Sequence, residues 1–79
     1  MTLAISLKPD LSLAFNARGF AYYWTKDYQS AIKDLNQAIS LNPAYLNAYQ
    51  NRANARAAAG DAQGAASDRA KIKELQAKP

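Results

Sequence analysis

The chain has 79 residues, enough for one domain, and 49% apolar content with only three Gly and three Pro gives that domain a folded, helical composition. The absence of Cys and His removes disulfides, thiolate nucleophiles, the usual zinc ligands and the side chain most used for proton transfer near neutral pH, so no metal, no cofactor and no enzymatic activity are expected. The net charge of +4 is not gathered into a dense run of Lys or Arg, so it reads as a solubilising surface rather than a footprint for nucleic acid or acidic lipid.

The first nine residues, Met1-Thr2-Leu3-Ala4-Ile5-Ser6-Leu7-Lys8-Pro9, have no basic leading region, and their apolar stretch stops at Lys8-Pro9. That makes a poor signal peptide. No stretch reaches the ~20 apolar residues of a membrane span. Together these features favour a cytoplasmic location. Asp10 follows Pro9 and is placed to cap a first helix predicted over 11–25. Lys26-Asp27 makes a turn, and Asp27 caps a second helix over 28–41. Asn42-Pro43 stops that helix, because Pro has no N–H for the ladder and biases the residue before it away from helix. A third helix is predicted over 46–59, ending at Gly60, a good left-handed C-cap, and Asp61 caps a fourth over 62–77. Turns this short force antiparallel neighbours.

The chain repeats itself. Ala4-Ile5-Ser6-Leu7-Lys8-Pro9 returns as Ala38-Ile39-Ser40-Leu41-Asn42-Pro43, a shift of 34 residues. The same shift pairs Phe15 with Tyr49, Arg18 with Arg52, Gly19 with Ala53, Asp27 with Asp61 and Asp34 with Asp68. One period held without a gap over that distance is the mark of a repeat architecture. The residues at fixed places within the period resemble the tetratricopeptide repeat family. Between Ser12 and Tyr45, Phe15 is the aromatic opening the first helix, Gly19 the small residue where two helices cross, and Tyr22 the tyrosine one turn later. Ala31 is the small residue of the second helix, followed by Leu35, Ala38 and Pro43.

The resemblance covers essentially the whole chain, as one domain. Residues 1–9 correspond to the tail of a preceding repeat, 10–43 to a full repeat, and 44–79 to a second repeat with a capping C-terminal helix. It implies an all-α fold of antiparallel helix-turn-helix hairpins stacked as a short right-handed α-solenoid. The second unit departs from the family pattern: Arg56 replaces Tyr22, Arg69 replaces Leu35 and Ala77 replaces Pro43. In the family these sites pack against a following unit, so the fourth helix is expected to act as a solvated cap.

Phe15, Gly19 and Tyr22 share one helical stripe, and Tyr28, Ala31, Leu35 and Ala38 form the facing one, with Gly19 set against Ala31. Arg18 and Arg52 stand where the family more often has Leu, and an Asp follows each after 16 residues. The ion pairs Arg18–Asp34 and Arg52–Asp68 are therefore predicted to bridge each hairpin, since the planar guanidinium fork suits a carboxylate. The alternative is that both arginines grip an acidic ligand.

In this family the first helices line a concave groove that takes an extended or helical peptide. The resemblance places the lining at Leu13, Asn16, Phe20, Tyr23 and Trp24, then Asn47, Gln50, Asn54, Ala57 and Ala58. The pattern of the first helix points the same way, because it carries a second stripe at 13, 16, 20 and 23/24 beside its Phe15–Tyr22 stripe. Surplus aromatics need a partner or a neighbour. Trp and Tyr are common anchors of binding, and Asn and Gln bond a peptide backbone without reading its sequence. A neighbouring helix or a second copy of the chain is the other occupant these aromatics allow.

The function this implies is a non-catalytic protein–protein interaction module holding a protein or peptide segment. Only Asn51 matches the Lys/Asn/Arg clamp with which one subclass grips acidic chaperone C-termini, which argues against that ligand. The alternative is self-association through exposed repeat faces, as a homodimer or array, because repeat arrays generally need three or more units. RNA binding is a third class, opposed by the scarcity of Lys and Arg on the predicted groove.

Overall fold

A computed structural model describes residues 11–77. They form four helices: α1 (Leu11–Trp24), α2 (Tyr28–Leu41), α3 (Leu46–Ala58) and α4 (Ala62–Ala77). Among the described residues there is no strand. The expected cap Asp10 and the repeat tail at 1–9 lie outside the described residues. Asp27 accepts from the Ser30 backbone N–H at 3.3 Å and Asp61 from the Gly64 N–H at 2.8 Å, so each satisfies an orphan donor in the first turn of the helix it precedes. α2 stops before Pro43. The Asn42 N–H closes the helix on the Ala38 carbonyl at 2.9 Å, and its side-chain oxygen accepts from Ala44 N–H at 3.3 Å.

The ends of α1 and α3 are built alike. Lys26 N–H bonds the Tyr23 carbonyl at 3.0 Å and Asp27 N–H the Tyr22 carbonyl at 3.0 Å. One repeat later, Gly60 N–H bonds the Ala57 carbonyl at 3.1 Å and Asp61 N–H the Arg56 carbonyl at 2.8 Å. This paired C-terminal motif requires a left-handed residue, and both Lys26 (φ 66°) and Gly60 (φ 93°) adopt it. Gly60 was the expected cap; Lys26 was not foreseen in that role.

α1 packs on α2 and α3 on α4, while α2 lies against α3 and α1 touches α3. The described helices form a slab of 41 × 32 × 16 Å. Its core is Leu35 and Tyr49 with the alanines Ala31, Ala38, Ala48, Ala53, Ala55 and Ala65, and with Phe15, Tyr22 and Tyr45 packed half-buried around it. Gly19 makes the hairpin crossing close. A Cβ there would lie 2.8 Å from Leu35 Cγ and 3.2 Å from the Ala31 carbonyl oxygen, so the expected Gly19–Ala31 approach involves the Leu35 side chain as well.

Both predicted ion pairs form. Arg18 Nε reaches Asp34 Oδ2 at 2.7 Å and its Nη2 reaches Oδ1 at 2.9 Å; Arg52 holds Asp68 in the same bidentate way at 3.0 and 2.7 Å. The hydrogen bond to Asp34 first, and its charge second, raise the Arg18 guanidinium above its ordinary pKa. Arg56, which stands near the end of α3 where the first unit has Tyr22, is half-buried. Its guanidinium turns inward to Asp68 Oδ2 at 3.1 Å and the Gly64 carbonyl at 3.4 Å, because a buried carboxylate already stands within its reach. Arg69 and Ala77, at the other two substituted positions, are exposed.

Candidate functional site

Successive antiparallel helices leave α1 and α3 parallel and adjacent, so one face of each contributes to a common wall. Where the two helices meet on that wall, the contact is polar. Asn16 donates through Nδ2 to the Tyr45 hydroxyl at 3.3 Å and to Asn47 Oδ1 at 3.3 Å. Asn51 donates through Nδ2 to Asn16 Oδ1 at 3.0 Å and to Asn47 Oδ1 at 3.1 Å.

Asn16 is only 8% exposed, and both of its amide hydrogens are engaged. The sequence placed it on the open groove; the structure puts it beneath, as the buried link between α1 and α3. Burial of an amide demands such partners. Tyr45 and Asn51 complete this ladder, and neither was among the expected groove residues. Their signal in the sequence was the spacing of Asn47 and Asn51 by one helical turn, about one period after Asn16.

Leu13, Phe20 and Trp24 of α1 are exposed, as are Asn47, Gln50, Asn54, Ala57 and Ala58 of α3. Phe20 is 46% and Trp24 68% exposed. Their rings meet edge to face, with centroids 6.0 Å apart at 76°, and Tyr23 meets Trp24 in the same manner at 5.7 Å and 82°. Tyr23 itself is half-buried and leans on Tyr28 of α2 at 5.8 Å, so it props the Trp24 ring more than it faces solvent. The wall therefore has an aromatic part on α1 and an amide part on α3.

Neither part carries a charge. Arg18 is the charged residue of α1, and Arg52 and Arg56 are those of α3; all three bind Asp34 or Asp68 on the second helix of their own hairpin. Arg69 of α4 stands at the outer margin, sharing a shallow depression with Gln50, Asn54 and Ile72. Among the described residues, no three carboxylates come together in a group able to hold a metal ion.

The sequence profile of the tetratricopeptide repeat matches residues 12–45. The chain carries a tetratricopeptide repeat. Such repeats generally mediate protein–protein interaction and are typically non-catalytic. Over 58 residues, 73% of this chain, the sequence is 45% identical to RNA polymerase II-associated protein 3 of Xenopus tropicalis. The chain spans 9% of that relative's length. Among the described residues, no helix is long and apolar enough to cross a membrane.

Proposed function

We propose that the α1–α3 wall of this tetratricopeptide module holds a segment of another protein. The observation that carries this reading is the pair Phe20 and Trp24, fixed edge to face yet largely exposed, on a helix whose other stripe already closes the hairpin. Aromatics of this kind are the usual anchors of protein interfaces. The relative in Xenopus tropicalis is named for its association with RNA polymerase II, which accords with a role in protein association. The absence of charge on the wall leaves little to neutralise the phosphates of a nucleic acid.

The test is quantitative capture of binding proteins from an extract of the source cells, comparing the wild-type chain with Trp24→Ala. Loss of at least about fivefold of a bound protein is expected, with the melting temperature of the variant within a few degrees of wild type, because an exposed side chain contributes little to stability. A bound set that does not change would remove Trp24 from the binding surface.

Self-association is a second reading, supported by a different observation. Leu11 and Ala14 on the outer side of α1 are exposed, whereas their counterparts one repeat later, Tyr45 and Ala48, are half-buried and fully buried beside α2. Among the described residues nothing covers Leu11 and Ala14 in this way. Light scattering at several concentrations decides between the readings: a mass that doubles with concentration supports pairing through this face.

A further inference from the structure

The charge and hydrogen-bonding inventory of the wall narrows what can lie on it. Resting on the reading of the wall as the binding surface, we propose that the partner segment is electrically neutral where it crosses the wall. It sets one bulky apolar side chain against Phe20 and Trp24, and the backbone N–H and C=O of one extended residue on the Asn47–Asn51 pair.

The first argument is charge. The arginines of α1 and α3 are the cations that an acidic ligand would recruit, and each is already bound. Releasing Arg18 would strip Asp34, a buried carboxylate, of its partner; releasing Arg52 would take both bidentate bonds from Asp68 and leave it to Arg56 alone. An unpaired buried charge is among the most costly states in a protein. A partner carboxylate at the rings or at the Asn47–Asn51 pair would therefore exchange its hydration for groups with no counter-charge, Arg69 lying at the outer margin. A partner cation would gain only the weak attraction of exposed ring faces against a chain of net charge +4. A neutral segment meets no such opposition.

The second argument is the hydrogen-bonding capacity the ladder leaves over. Both amide hydrogens of Asn16 and both of Asn51 are engaged, and Asn47 Oδ1 accepts twice. What remains is the NH2 of Asn47 and the carbonyl oxygen of Asn51. Asn47 is an exposed residue, and Asn51 Oδ1 is not a buried atom lacking a partner. One free donor and one free acceptor complement the C=O and N–H of one residue in an extended segment, which point to the same side. Turning all three amides over exchanges donors for acceptors and leaves the same complementary pair. The side chains stay fixed because Asn16 anchors them from beneath, so little rotamer freedom is lost on binding.

The experiment uses the full chain, immobilised, and as probe a displayed library of random peptides about 12 residues long. Enriched peptides are expected to share an aromatic or long aliphatic residue within a stretch free of Asp, Glu, Lys and Arg. The affinity of a synthesised member should change less than about twofold between about 50 and about 500 mM NaCl. Trp24→Ala and Asn47→Ala should each weaken it by at least about fivefold, and Arg69→Ala by less than about twofold. Thermal melts of the variants, whose altered side chains are all exposed, separate lost binding from lost fold.

Enriched peptides that carry charged residues, lose affinity steeply with salt and still depend on Trp24 would overturn the neutral-partner inference while keeping the wall as the binding surface. Enrichment indifferent to both Trp24→Ala and Asn47→Ala, or none above protein-free support, would overturn both. Salt-dependent binding of a single-stranded oligouridylate that needs Trp24 would replace the peptide with nucleic acid and overturn both as well.

Discussion

The two hairpins share a backbone, a repeat length and an arginine–aspartate bridge, yet they are closed by different forces. In the first, Leu35 is fully buried beneath Gly19, and Arg18 lies over the outside with its side chain 62% exposed. In the second, the position of Leu35 is taken by the exposed Arg69, and that of Tyr22 by Arg56. Asp68 therefore holds two guanidiniums, at 2.7 and 3.1 Å. Arg52, only 16% exposed, also donates to Asn36 Oδ1 of the first hairpin at 2.9 Å. The first unit is closed by apolar shape, and the second by alanine packing, the buried Tyr49 ring and a charged network. One backbone thus accepts two kinds of closure. Apolar burial is non-directional and tolerant of small shifts, whereas a buried charged network holds only while every member is satisfied.

The sharpest way to break this contrast is to remove the equivalent side chain from each unit. Leu35→Ala should cost about 3–4 kcal/mol, because it empties the one large fully buried side chain of the core. For a domain of this size that is a fall in Tm of at least about 12 °C. Arg69→Ala, at the matching place in the second unit, should stay within about 0.5 kcal/mol, since the side chain is exposed. Circular dichroism melts of the two variants measure both. Similar losses would mean that the second unit is closed through Arg69 after all.

The aspartates offer the next contrast. Asp68→Ala should cost about 2–3 kcal/mol, because it leaves Arg52 and Arg56, both half-buried, as neighbouring like charges without a counter-ion. The same change at Asp34 should cost less, since its partner Arg18 already lies largely in water and regains full hydration. Urea unfolding of the pair would show it as a difference in midpoint at constant slope. Equal shifts would show that the second aspartate does no more than the first.

Much of this architecture was legible in the sequence. The punctuation residues Asp27, Asn42-Pro43, Gly60 and Asp61 place the helix ends to within about a residue, because capping and proline chemistry act locally. The arginine–aspartate bridges were legible because the repeat displays each pair twice at one spacing. Three features were not read. The inward turn of Arg56 depends on where Asp68 comes to lie, and the long side chain reaches either water or carboxylate. Asn16 has the periodicity of a groove residue, and only the arrival of Tyr45, Asn47 and Asn51 from α3 shows that it is covered. Lys26 is a poor left-handed residue by type, so its conformation is visible only by shifting Gly60 back one repeat. The groove itself follows from the resemblance and from two exposed rings.

That last position gives the smallest of the expected effects and the cleanest comparison of the two units. Lys26 and Gly60 make the same turn with the same pair of hydrogen bonds, but only glycine does so without a Cβ crowding the following carbonyl. A non-glycine residue in this region loses roughly 1–2 kcal/mol. Glycine in its place returns part of that gain through the greater freedom of the unfolded chain. Lys26 is exposed and α1 already ends before it, so no packing or helical propensity is lost. Lys26→Gly should therefore stabilise the chain by about 0.5–1 kcal/mol, a rise in Tm of about 2–8 °C. The reciprocal change, Gly60→Lys, should lower stability by a similar amount, because there is open space for the side chain and the backbone conformation alone opposes it. If Lys26→Gly instead lowered Tm, the lysine would be making a contact that outweighs its backbone strain, and the equivalence of the two turns would hold in shape but not in energy.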